Sequence, residues 1–450
     1  MTPNNQITVN LTSELRLEQA LKQAGVDKPK TVTRLVVAGM LTFDDFKYLR
    51  KKMGKTLQEL DMSNASVETN IIKEKTFSGC TALTSIAIPD SIICFEGAAL
   101  RNTPFTAFTV HPDSQFFASE NGVIFNKDKT ELLFYPQGRQ EKHYVIPDTV
   151  TGIGRFAFYR SVLTSITIPD SVKKIEYSAF AYSELISISI PDSVTEIGDS
   201  AFSSCDSLTS ITIPNSVRKI GYASFWGCYR LTSVFIPMSV IEISSGNFSN
   251  CFKLNTITVH SDNPVYSSEN GVLFNKDKTE LIRFPMGYSG NYAIPNSVTK
   301  IERGAFWGCE RLTSISIPIS VKEIGHGAFH CCTGLTTITI PDLVTEIGSN
   351  TFWECRGLTN IEIPDSVTKI GNSAFECCTG LTTITIPDSV TEIGAYAFHF
   401  CTGLISITIP DSVTEIEISA FGQCPAFITV HANNPVYTSE NGMLKKKNEP

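Results

Sequence analysis

Two histidines and two cysteines near the middle of the chain have the residue types of a metal site. His326 and His330 are four residues apart, and Cys331 and Cys332 follow directly. On a helix, two histidines at this spacing share one face and can bind one zinc ion. However, no glutamate follows the first histidine as in the H-E-x-x-H motif, and the segment predicts only about one helical turn. We therefore predict no metal site here and no cofactor elsewhere in the chain.

Motifs that position catalytic groups are absent from the sequence. It contains no G-x-S-x-G nucleophile turn, no G-x-x-x-x-G-K-[ST] phosphate loop and no G-x-G-x-x-G dinucleotide fingerprint. The conspicuous serines, histidines and aspartates instead recur at fixed places in a repeat, whereas an active site needs residues that break the symmetry in one place. We predict that the chain is not an enzyme, and we assign no catalytic residue.

Aromatic residues form a stripe in a single register of that repeat. All three tryptophans lie 12 residues after a recurring proline, each directly after a recurring phenylalanine. If the phenylalanine is buried, the next side chain lies near the surface, and tryptophan is a frequent hot-spot residue of binding surfaces. Either this stripe contacts a protein or a sugar, or its rings lie flat and cover the edges of the coils. The binding hypothesis names Trp226, Trp307, His330, Trp353 and His399.

Hydroxyl residues form a second regular surface on the strands that precede the prolines. They alternate with isoleucines, so we expect them to face outward on the concave side of a stack of coils. Such an array of donors and acceptors suits the hydroxyl groups of a glycan or a glycoprotein. The alternative is that serine and threonine are simply good exposed strand residues. The binding hypothesis names Ser210, Thr212, Ser314, Ser316, Thr337, Thr339, Thr383 and Thr385.

The chain has 13 cysteines, most of them in one register. We expect a ladder of small core residues, one in each coil, with neighbours roughly 5 Å apart. Parallel side chains in a ladder are poorly oriented for a disulfide, and Thr103, Ser161 and Ser183 fill the same slot in other copies. We predict that the slot requires small size and that the thiols are reduced. The ladder comprises Cys205, Cys228, Cys251, Cys309, Cys332, Cys355, Cys378, Cys401 and Cys424.

A repeat of 22 or 23 residues must position all of these groups. Its prolines stand at 147, 169, 191, 214 and 237, then at 295, 318, 341, 364, 387 and 410. Before each proline, L-x-x-I-x-I predicts a short strand, which the proline ends because it has no N–H to donate. We expect the Asp-Ser pair that follows, as at Asp192 and Ser193, to bond its own backbone in a turn. One copy cannot bury its apolar face alone, so the copies must stack into a solenoid.

The full pattern L-x-x-I-x-I-P-x-x-V-x-x-I-x-x-x-A-F-x-x-C resembles the BspA-like leucine-rich repeats, from about Val32 onward. The resemblance implies a leucine-rich-repeat solenoid, β-rich with short helical turns, of a kind common in bacterial and protozoan surface proteins. It implies binding to host matrix glycoproteins, other microbes or host receptors, at the cell surface or after secretion. Residues 1 to 10 are polar and carry no signal-peptide pattern, so one expectation is a mature fragment whose leader has been removed.

The first 65 residues depart from the repeat and predict an α/β capping region. Helices are expected over residues 11–24, capped by Thr12 or Ser13 and stopped by Gly25, and after Thr42 as the cap through Met53, where Gly54 ends the helix. Short strands are expected at residues 7–9 and 33–37. Solenoids need such a piece to cover their first exposed core. We therefore predict a cap over residues 1–65 and repeats over residues 66–450.

Two matched insertions interrupt the repeats, near residues 110–146 and 259–294, and a truncated third begins at 430. In the second, residues 271–275 and 280–284 are apolar runs around a Lys-Asp-Lys-Thr turn, which predicts a β-hairpin. From the sequence, these hairpins either continue the solenoid or project from it.

The charge and hydropathy of the chain exclude two classes of partner. The net charge of −8 disfavours nucleic acid, which attracts basic surfaces, and no apolar run is long enough to span a membrane. The function we predict is non-enzymatic binding or adhesion to extracellular proteins or glycans. The alternatives are a structural spacer that carries another domain and a polysaccharide-binding accessory module.

Overall fold

The structure is a computed structural model that describes residues 6–97 and 99–447. It divides into two compact units, Met1–Leu208 and Thr209–Pro450. In both units, each coil contributes a strand that ends before the recurring proline, here called the major strand, and a two-residue strand after it, the minor strand. Like strands of neighbouring coils pair in parallel, so each coil buries its apolar side against the next. The predicted leucine-rich-repeat solenoid, rich in β-structure, is confirmed for each unit.

The first helix is shorter than predicted, because it spans Leu17–Gln23 and does not begin after Thr12 or Ser13. The preceding strand continues to Leu11, and Thr12 Oγ1 accepts a hydrogen bond from Leu15 N at 3.0 Å, which makes a turn. The helix start is instead set from outside, since Leu17 N donates to Asp45 Oδ1 at 3.0 Å. A carboxylate there satisfies an amide that has no partner within the helix.

The second helix spans Phe43–Met53, as the sequence predicts. Thr42 and Asp45 form a capping box in which Thr42 N donates to Asp45 Oδ2 at 2.9 Å. Asp45 therefore caps both helices and fixes one against the other. The role of residues 1–65 as a separate capping region stays a prediction.

Phenylalanines form the centre of the coils. Each lies on a single turn closed by hydrogen bonds between residues three apart, such as Cys355 N to Phe352 O at 3.1 Å. In the first unit, Phe158, Phe180 and Phe202 stack with ring centroids 5.1 and 5.2 Å apart. In the second unit, ring centroids 5.0 to 5.5 Å apart join the stack of Phe306, Phe329, Phe352, Phe375, Phe398 and Phe421.

The cysteine ladder lies beside this stack and has a bonding role that the sequence did not predict. Cys332 Sγ donates to Phe306 O and Cys355 Sγ to Phe329 O, each at 3.1 Å, so each of these thiols satisfies a carbonyl of the preceding coil. Burial raises the pKa of the Cys251 and Cys309 thiols to about 12, which keeps them protonated and able to donate at neutral pH. The cysteines of the described residues are all free. In the coils of Cys332 and Cys355, the slot therefore holds a hydrogen-bond donor as well as a small residue.

The Asp-Ser turn after each proline also differs from the prediction. Ser193 Oγ does not bond its own turn but donates to Val172 O of the preceding coil at 2.6 Å. Ser366 repeats this bond to Val344 O at the same distance. The parallel coils bring that carbonyl within reach, and a purely local bond would leave it without this donor. These serines tie neighbouring coils together.

The insertions continue the solenoid and do not project from it. In the second unit, Tyr266–Glu269, Val272–Asn275 and Glu280–Arg283 form the predicted antiparallel hairpin with one further strand. Glu280–Arg283 then pairs in parallel with the minor strand Lys300–Ile301, and Gly290–Ala293 pairs with the major strand Leu312–Ser316. The insertion of the first unit repeats this arrangement. Each insertion therefore supplies both strands of one extra coil.

The first unit has two helices, given above, and short 3₁₀ segments at Pro29–Thr31 and Glu68–Asn70. Three longer strands open it: Gln6–Leu11, Arg34–Leu41 and Glu59–Val67. The predicted strands at residues 7–9 and 33–37 are thus present and longer. The major strands are Ser85–Ile88, Ala107–Val110, His143–Val145, Ser165–Thr167 and Ser187–Ser189. The minor strands are Ile71–Ile72, Cys94–Phe95, Gly152–Ile153, Lys174–Ile175 and Glu196–Ile197. The insertion strands are Phe117–Glu120, Val123–Asn126 and Glu131–Phe134.

The second unit has one 3₁₀ segment, Ser245–Phe248, among its described residues. Its major strands are Ser210–Thr212, Ser233–Ile236, Thr256–Val259, Gly290–Ala293, Leu312–Ser316, Thr337–Thr339, Asn360–Glu362, Thr383–Ile384, Ser406–Ile409 and Phe427–Val430. Its minor strands are Lys219–Ile220, Glu242–Ile243, Lys300–Ile301, Glu323–Ile324, Glu346–Ile347, Lys369–Ile370, Glu392–Ile393 and Glu415–Ile416. Besides the hairpin named above, the truncated insertion forms Tyr437–Glu440 and Met443–Lys446.

Candidate functional site

Three members of the aromatic stripe form one continuous stack on the turns that follow the minor strands. The centroids of Trp307 and His330 are 5.4 Å apart with planes at 6°, and those of His330 and Trp353 are 4.4 Å apart at 16°. The phenylalanine before each of them is buried, whereas Trp307 keeps 37% of its surface exposed. The identical register in successive coils brings the rings together. The rings therefore cover coil edges and still present an exposed surface, and binding of a partner by that surface stays a prediction.

The other two members of the stripe lie outside this stack. Trp226 is half-buried, and the groove described below does not include it. His399 Nδ1 lies 3.3 Å from Glu376 Oε1, and the His399 ring packs edge-on against Phe400 with centroids 4.3 Å apart. The structure thus brings together Trp307, His330 and Trp353 and leaves Trp226 and His399 apart from them.

A groove of about 630 Å³ runs beside the stacked rings, and small residues keep it open. Gly304 and Gly327 line it with φ of 63° and 61°, in the left-handed region that favours glycine. Yet Ser373 and Tyr396 adopt φ of 53° and 58° at the same register in other coils. Backbone conformation alone therefore does not require glycine at 304 and 327. Because these two glycines have no side chains, the space next to Trp307 and His330 stays open.

Arg283 lies in the wall of this groove and is almost completely buried, with 1% exposure. Its guanidinium donates to Gly304 O at 2.7 Å and to Trp307 O at 3.3 Å. Among the described residues it makes no ion pair, and its Nε has no hydrogen-bond partner. Burial lowers the pKa of Arg283, but an arginine stays charged at neutral pH. The groove wall therefore holds a cation that no carboxylate of the described chain balances.

Ser249 and Arg303 complete the polar lining. Ser249 is 2% exposed, and its buried Oγ has no partner among the described residues. Arg303 is exposed and lines the same groove. The groove-lining residues that the structure describes include no aspartate or glutamate. The fixed charge of the lining is thus positive in a chain whose net charge is −8.

The two groove histidines add no fixed charge. Burial lowers the pKa of His330, a shift that the nearby Glu354 opposes, so the ring is neutral at pH 7. His326 Nδ1 accepts a hydrogen bond from Ser349 N at 2.9 Å. Cys332 is committed to the core ladder through its bond to Phe306 O. Within residues 6–97 and 99–447, no three His, Cys, Asp or Glu side chains lie close enough to share a metal ion.

The hydroxyl residues lie on the major strands, away from the turns that carry the groove. Thr337, Thr339 and Thr383 are exposed as expected, and Ser314 pairs in register with Thr337. Thr385 follows the end of its strand, Thr383–Ile384. The remaining members are exposed as well: Ser210, Thr212 and Ser316. None of the eight lines the groove, so the two predicted surfaces are separate, and binding by either stays a prediction.

Sequence reasoning missed Arg283, Arg303 and the glycines of the groove. One signal was present in the two matched insertions, where T-E-L-L-F-Y-P at residues 130–136 aligns with T-E-L-I-R-F-P at 279–285. Arg283 thus takes the place of Phe134 within an otherwise apolar run. Such a break in the symmetry marks a residue that the fold alone does not demand.

Comparisons with known proteins agree with the repeat pattern. The sequence matches the family described as "BspA type Leucine rich repeat region (6 copies)" over residues 53–128, 133–285, 288–401 and 345–448. The crystal structure of the pneumococcal vaccine antigen PcpA is similar in fold, with a TM-score of 0.56 and 22% identity over 70% of this chain and 87% of that chain. No protein with a curated description matches the chain.

Two further solved structures are similar in sequence. A leucine-rich cell surface protein from Faecalibacterium prausnitzii shares 30% identity over 71% of this chain and 96% of that chain, with a TM-score of 0.48. A leucine-rich repeat protein from Bacteroides ovatus shares 29% identity over 70% and 84% of the two chains, with a TM-score of 0.47. In the described part of this chain, no helix has the length and apolar character needed to cross a bilayer.

Proposed function

The chain belongs to the family of BspA-type leucine-rich repeat proteins, and from that premise we propose that it is a non-enzymatic binding or adhesion protein. Its partners are extracellular or host-surface proteins or glycans, and its place is the cell surface or the medium around the cell. Repeat solenoids commonly act through extended surfaces that many coils build together. The family resemblance supports the location, and the features of the second unit support the binding role.

The observation that carries the proposal is the aromatic stack beside an open groove. Trp307, His330 and Trp353 come from three successive coils, and Trp307 is more than one third exposed. Rigid aromatic side chains dominate the energetics of binding surfaces because they bury much area and lose little conformational entropy. The purified chain should therefore bind a partner through this stripe.

The test is a binding screen against extracellular-matrix proteins and a glycan array at physiological salt. Each hit is then measured with a variant that changes Trp226, Trp307 and Trp353 to Ala together. We expect that variant to bind at least about ten-fold more weakly. Phe252→Ala is the matched control, since Phe252 is 43% exposed and lies outside the stripe. Circular dichroism and thermal unfolding establish that both variants fold.

Other outcomes point to other surfaces or functions. A hit that survives the triple change moves the site to the hydroxyl residues of the major strands, such as Thr337 and Thr383, or to the insertions. Binding that free sugar competes away favours a polysaccharide-binding module. A chain that binds nothing in the screen contradicts the proposal and favours the structural spacer.

A further inference from the structure

We propose that the groove beside Trp307, His330 and Trp353 binds a carboxylate-bearing sugar residue, because its wall holds the unbalanced cation of Arg283 and the unpartnered hydroxyl of Ser249. This inference rests on the proposed binding function and names the chemical class of its ligand. The relevant features are the buried charge, the space in front of it and the shape of the neighbouring rings.

A bound anion would stabilise the buried positive charge of Arg283. A buried ion without a counter-ion is costly, and a buried donor without an acceptor adds to that cost. Arg283 has both features, since it makes no ion pair among the described residues and its Nε lacks a partner. Ser249 Oγ, also buried in the lining, can donate to the same ligand. Arg303 offers a second guanidinium that is exposed to solvent. A bound carboxylate would satisfy all three groups.

The space in front of Arg283 is specific to this part of the chain. Phe156 and Gly304 both lie nine residues after their prolines, and both have left-handed backbones, with φ of 61° and 63°. A phenylalanine is therefore compatible with this position in a coil of the same design. Glycine at 304 leaves a groove whose volume of about 630 Å³ lies in the range of small-molecule sites.

The neighbouring rings favour a sugar as the carrier of the carboxylate. Aromatic side chains combine a large apolar surface with polar edges, and one face of a pyranose ring is likewise rich in C–H groups. Guanidinium groups pair bidentately with carboxylates, and a carboxylate oxygen accepts a stronger hydrogen bond than an oxygen of a sulfate ester, which is a far weaker base. His330 is neutral at pH 7 and therefore does not extend the positive charge over the whole groove. The site thus fits one acidic group on a ring more closely than a polyanion.

The test uses the full chain and isothermal titration with lactose and two of its acidic derivatives. They are lactose, lactose capped with N-acetylneuraminic acid, and lactose 3′-sulfate, with a glucuronic acid disaccharide as a second acidic sugar. We expect at least one carboxylate sugar to bind at least about ten-fold more tightly than lactose and than the sulfate, as a charge-assisted pair requires. The bound sugar should also raise the unfolding temperature of the chain.

Two variants, each of which copies a residue found at the aligned position of the first unit, test where the ligand binds. Arg283→Phe copies Phe134 of the matched insertion, and Gly304→Phe copies Phe156. We expect the first to weaken binding of the carboxylate sugar by about ten- to hundred-fold and the second to abolish it. Arg303→Ala should also weaken binding, whereas Arg311→Ala removes the same charge from an exposed arginine outside the groove and should change nothing. If one groove variant fails to fold, the other still decides the question.

Several results would overturn the inference. Equal affinity for lactose and its acidic derivatives, or preference for the sulfate, contradicts a carboxylate site. Binding that survives Gly304→Phe places the ligand elsewhere, and preference for an acidic peptide over both acidic sugars assigns the groove to a protein partner. Failure of every acidic sugar also refutes the inference. The proposed function survives that failure if matrix proteins still bind and the triple Trp→Ala variant still loses them.

Discussion

The two matched insertions have nearly the same sequence, yet the grooves beside them differ in chemistry. In the first unit, the strand Glu131–Phe134 ends in a phenylalanine, which with Phe95, Phe117 and Phe156 lines a cavity of about 440 Å³ whose wall also holds Glu131 and Arg155. In the second unit, the aligned strand ends in Arg283, and Gly304 stands where the first unit has Phe156. Two differences on one backbone design thus replace two aromatic side chains with a buried cation and an open space.

The half-buried Arg101 of the first unit offers a comparison with the buried Arg283 of the second. Arg101 takes the place in the first unit that Ser249 takes in the second, since both lie 12 residues after their prolines. Arg101 lies over the ring of Phe156 at 3.6 Å, and the nearby Glu74 stabilises its charge. Arg283 has neither compensation among the described residues. The arginine of the first unit thus lies against an aromatic ring with a carboxylate nearby, whereas Arg283 has no such pairing among the described residues.

Exchange of the aligned residues gives the largest expected change in stability. Phe134→Arg would place a guanidinium beside Phe95, whose ring centroid lies 5.3 Å from that of Phe134, and should lower the free energy of unfolding by about 2 to 3 kcal/mol. Arg283→Phe removes a buried charge together with its hydrogen bonds, so we expect a change within about 1 kcal/mol. Urea unfolding followed by circular dichroism measures both. A loss of stability as large for Arg283→Phe would mean that Arg283 serves the fold.

Replacement of Phe156 by glycine in the first unit should have the next largest effect on stability. Phe156→Gly loses the contact with Arg101 and the ring contact with Tyr177, whose centroid is 5.1 Å away, at an expected cost of about 1 to 2 kcal/mol. Gly304→Phe meets no clash, since a Cβ at Gly304 would lie 3.8 Å from Trp307 Cβ, but its φ of 63° strains any side chain, so we expect a cost of about 1 kcal/mol. Thermal unfolding of the two variants compares these costs. If Gly304→Phe lowers the unfolding temperature more than Phe156→Gly does, glycine at 304 is needed for stability, and the groove is a by-product of that need.

The thiol ladder gives a smaller difference, of about 1 kcal/mol. Cys355→Ala leaves Phe329 O without its donor and should destabilise the second unit by about that amount. Cys355→Ser restores a hydroxyl like that of Ser183, which fills the same slot in the first unit, and should recover part of the loss. Urea midpoints of the two variants, measured in parallel, test the order. Equal losses would show that size alone decides which residue fits the slot.

The smallest effect is a pH dependence confined to the second unit. Burial lowers the pKa of His330 below its ordinary value of 6.5, so the unfolded chain takes up the proton first as the pH falls. The contribution of His330 to the free energy of unfolding should therefore be fully present above pH 6.5. It should decrease as the pH falls toward the pKa of His330 in the folded state. Tyr159 and Ala181 hold the same register in the first unit, so no histidine lies at these two positions. Unfolding temperatures of the wild type and His330→Phe between pH 7.5 and 5.5 test this, and an unchanged slope in the variant would contradict it.

Features that repeat with the period of the sequence were predicted well. The inward phenylalanines and cysteines, the second helix with its cap at Thr42, and the hairpins of the insertions follow from local patterns alone. The predictions failed where a contact from a distant segment decides. Leu17 starts the first helix because Asp45 caps it, and Ser193 bonds Val172 of another coil and not its own turn.

The candidate site was predicted only in part for the same reason. The stripe identified Trp307, His330 and Trp353 because one register carries all three. Arg283 enters the groove only because the insertion folds into an extra coil beside Gly304 and Ser249. The sequence did not decide whether that insertion continues the solenoid, so it could not place Arg283. The division at residue 65 and the binding role of the hydroxyl residues stay predictions.

The protonated thiols of the ladder also bear on how long the chain lasts in an oxidising medium. While the coils are closed, burial and a raised pKa keep thiols such as Cys309 from attacking a disulfide or an oxidant. Once a coil opens, several thiols become reactive together, and wrong disulfides would block its return. Unfolding would then be a one-way event, and the working lifetime of the protein would depend on how fast its coils open and not on the equilibrium free energy.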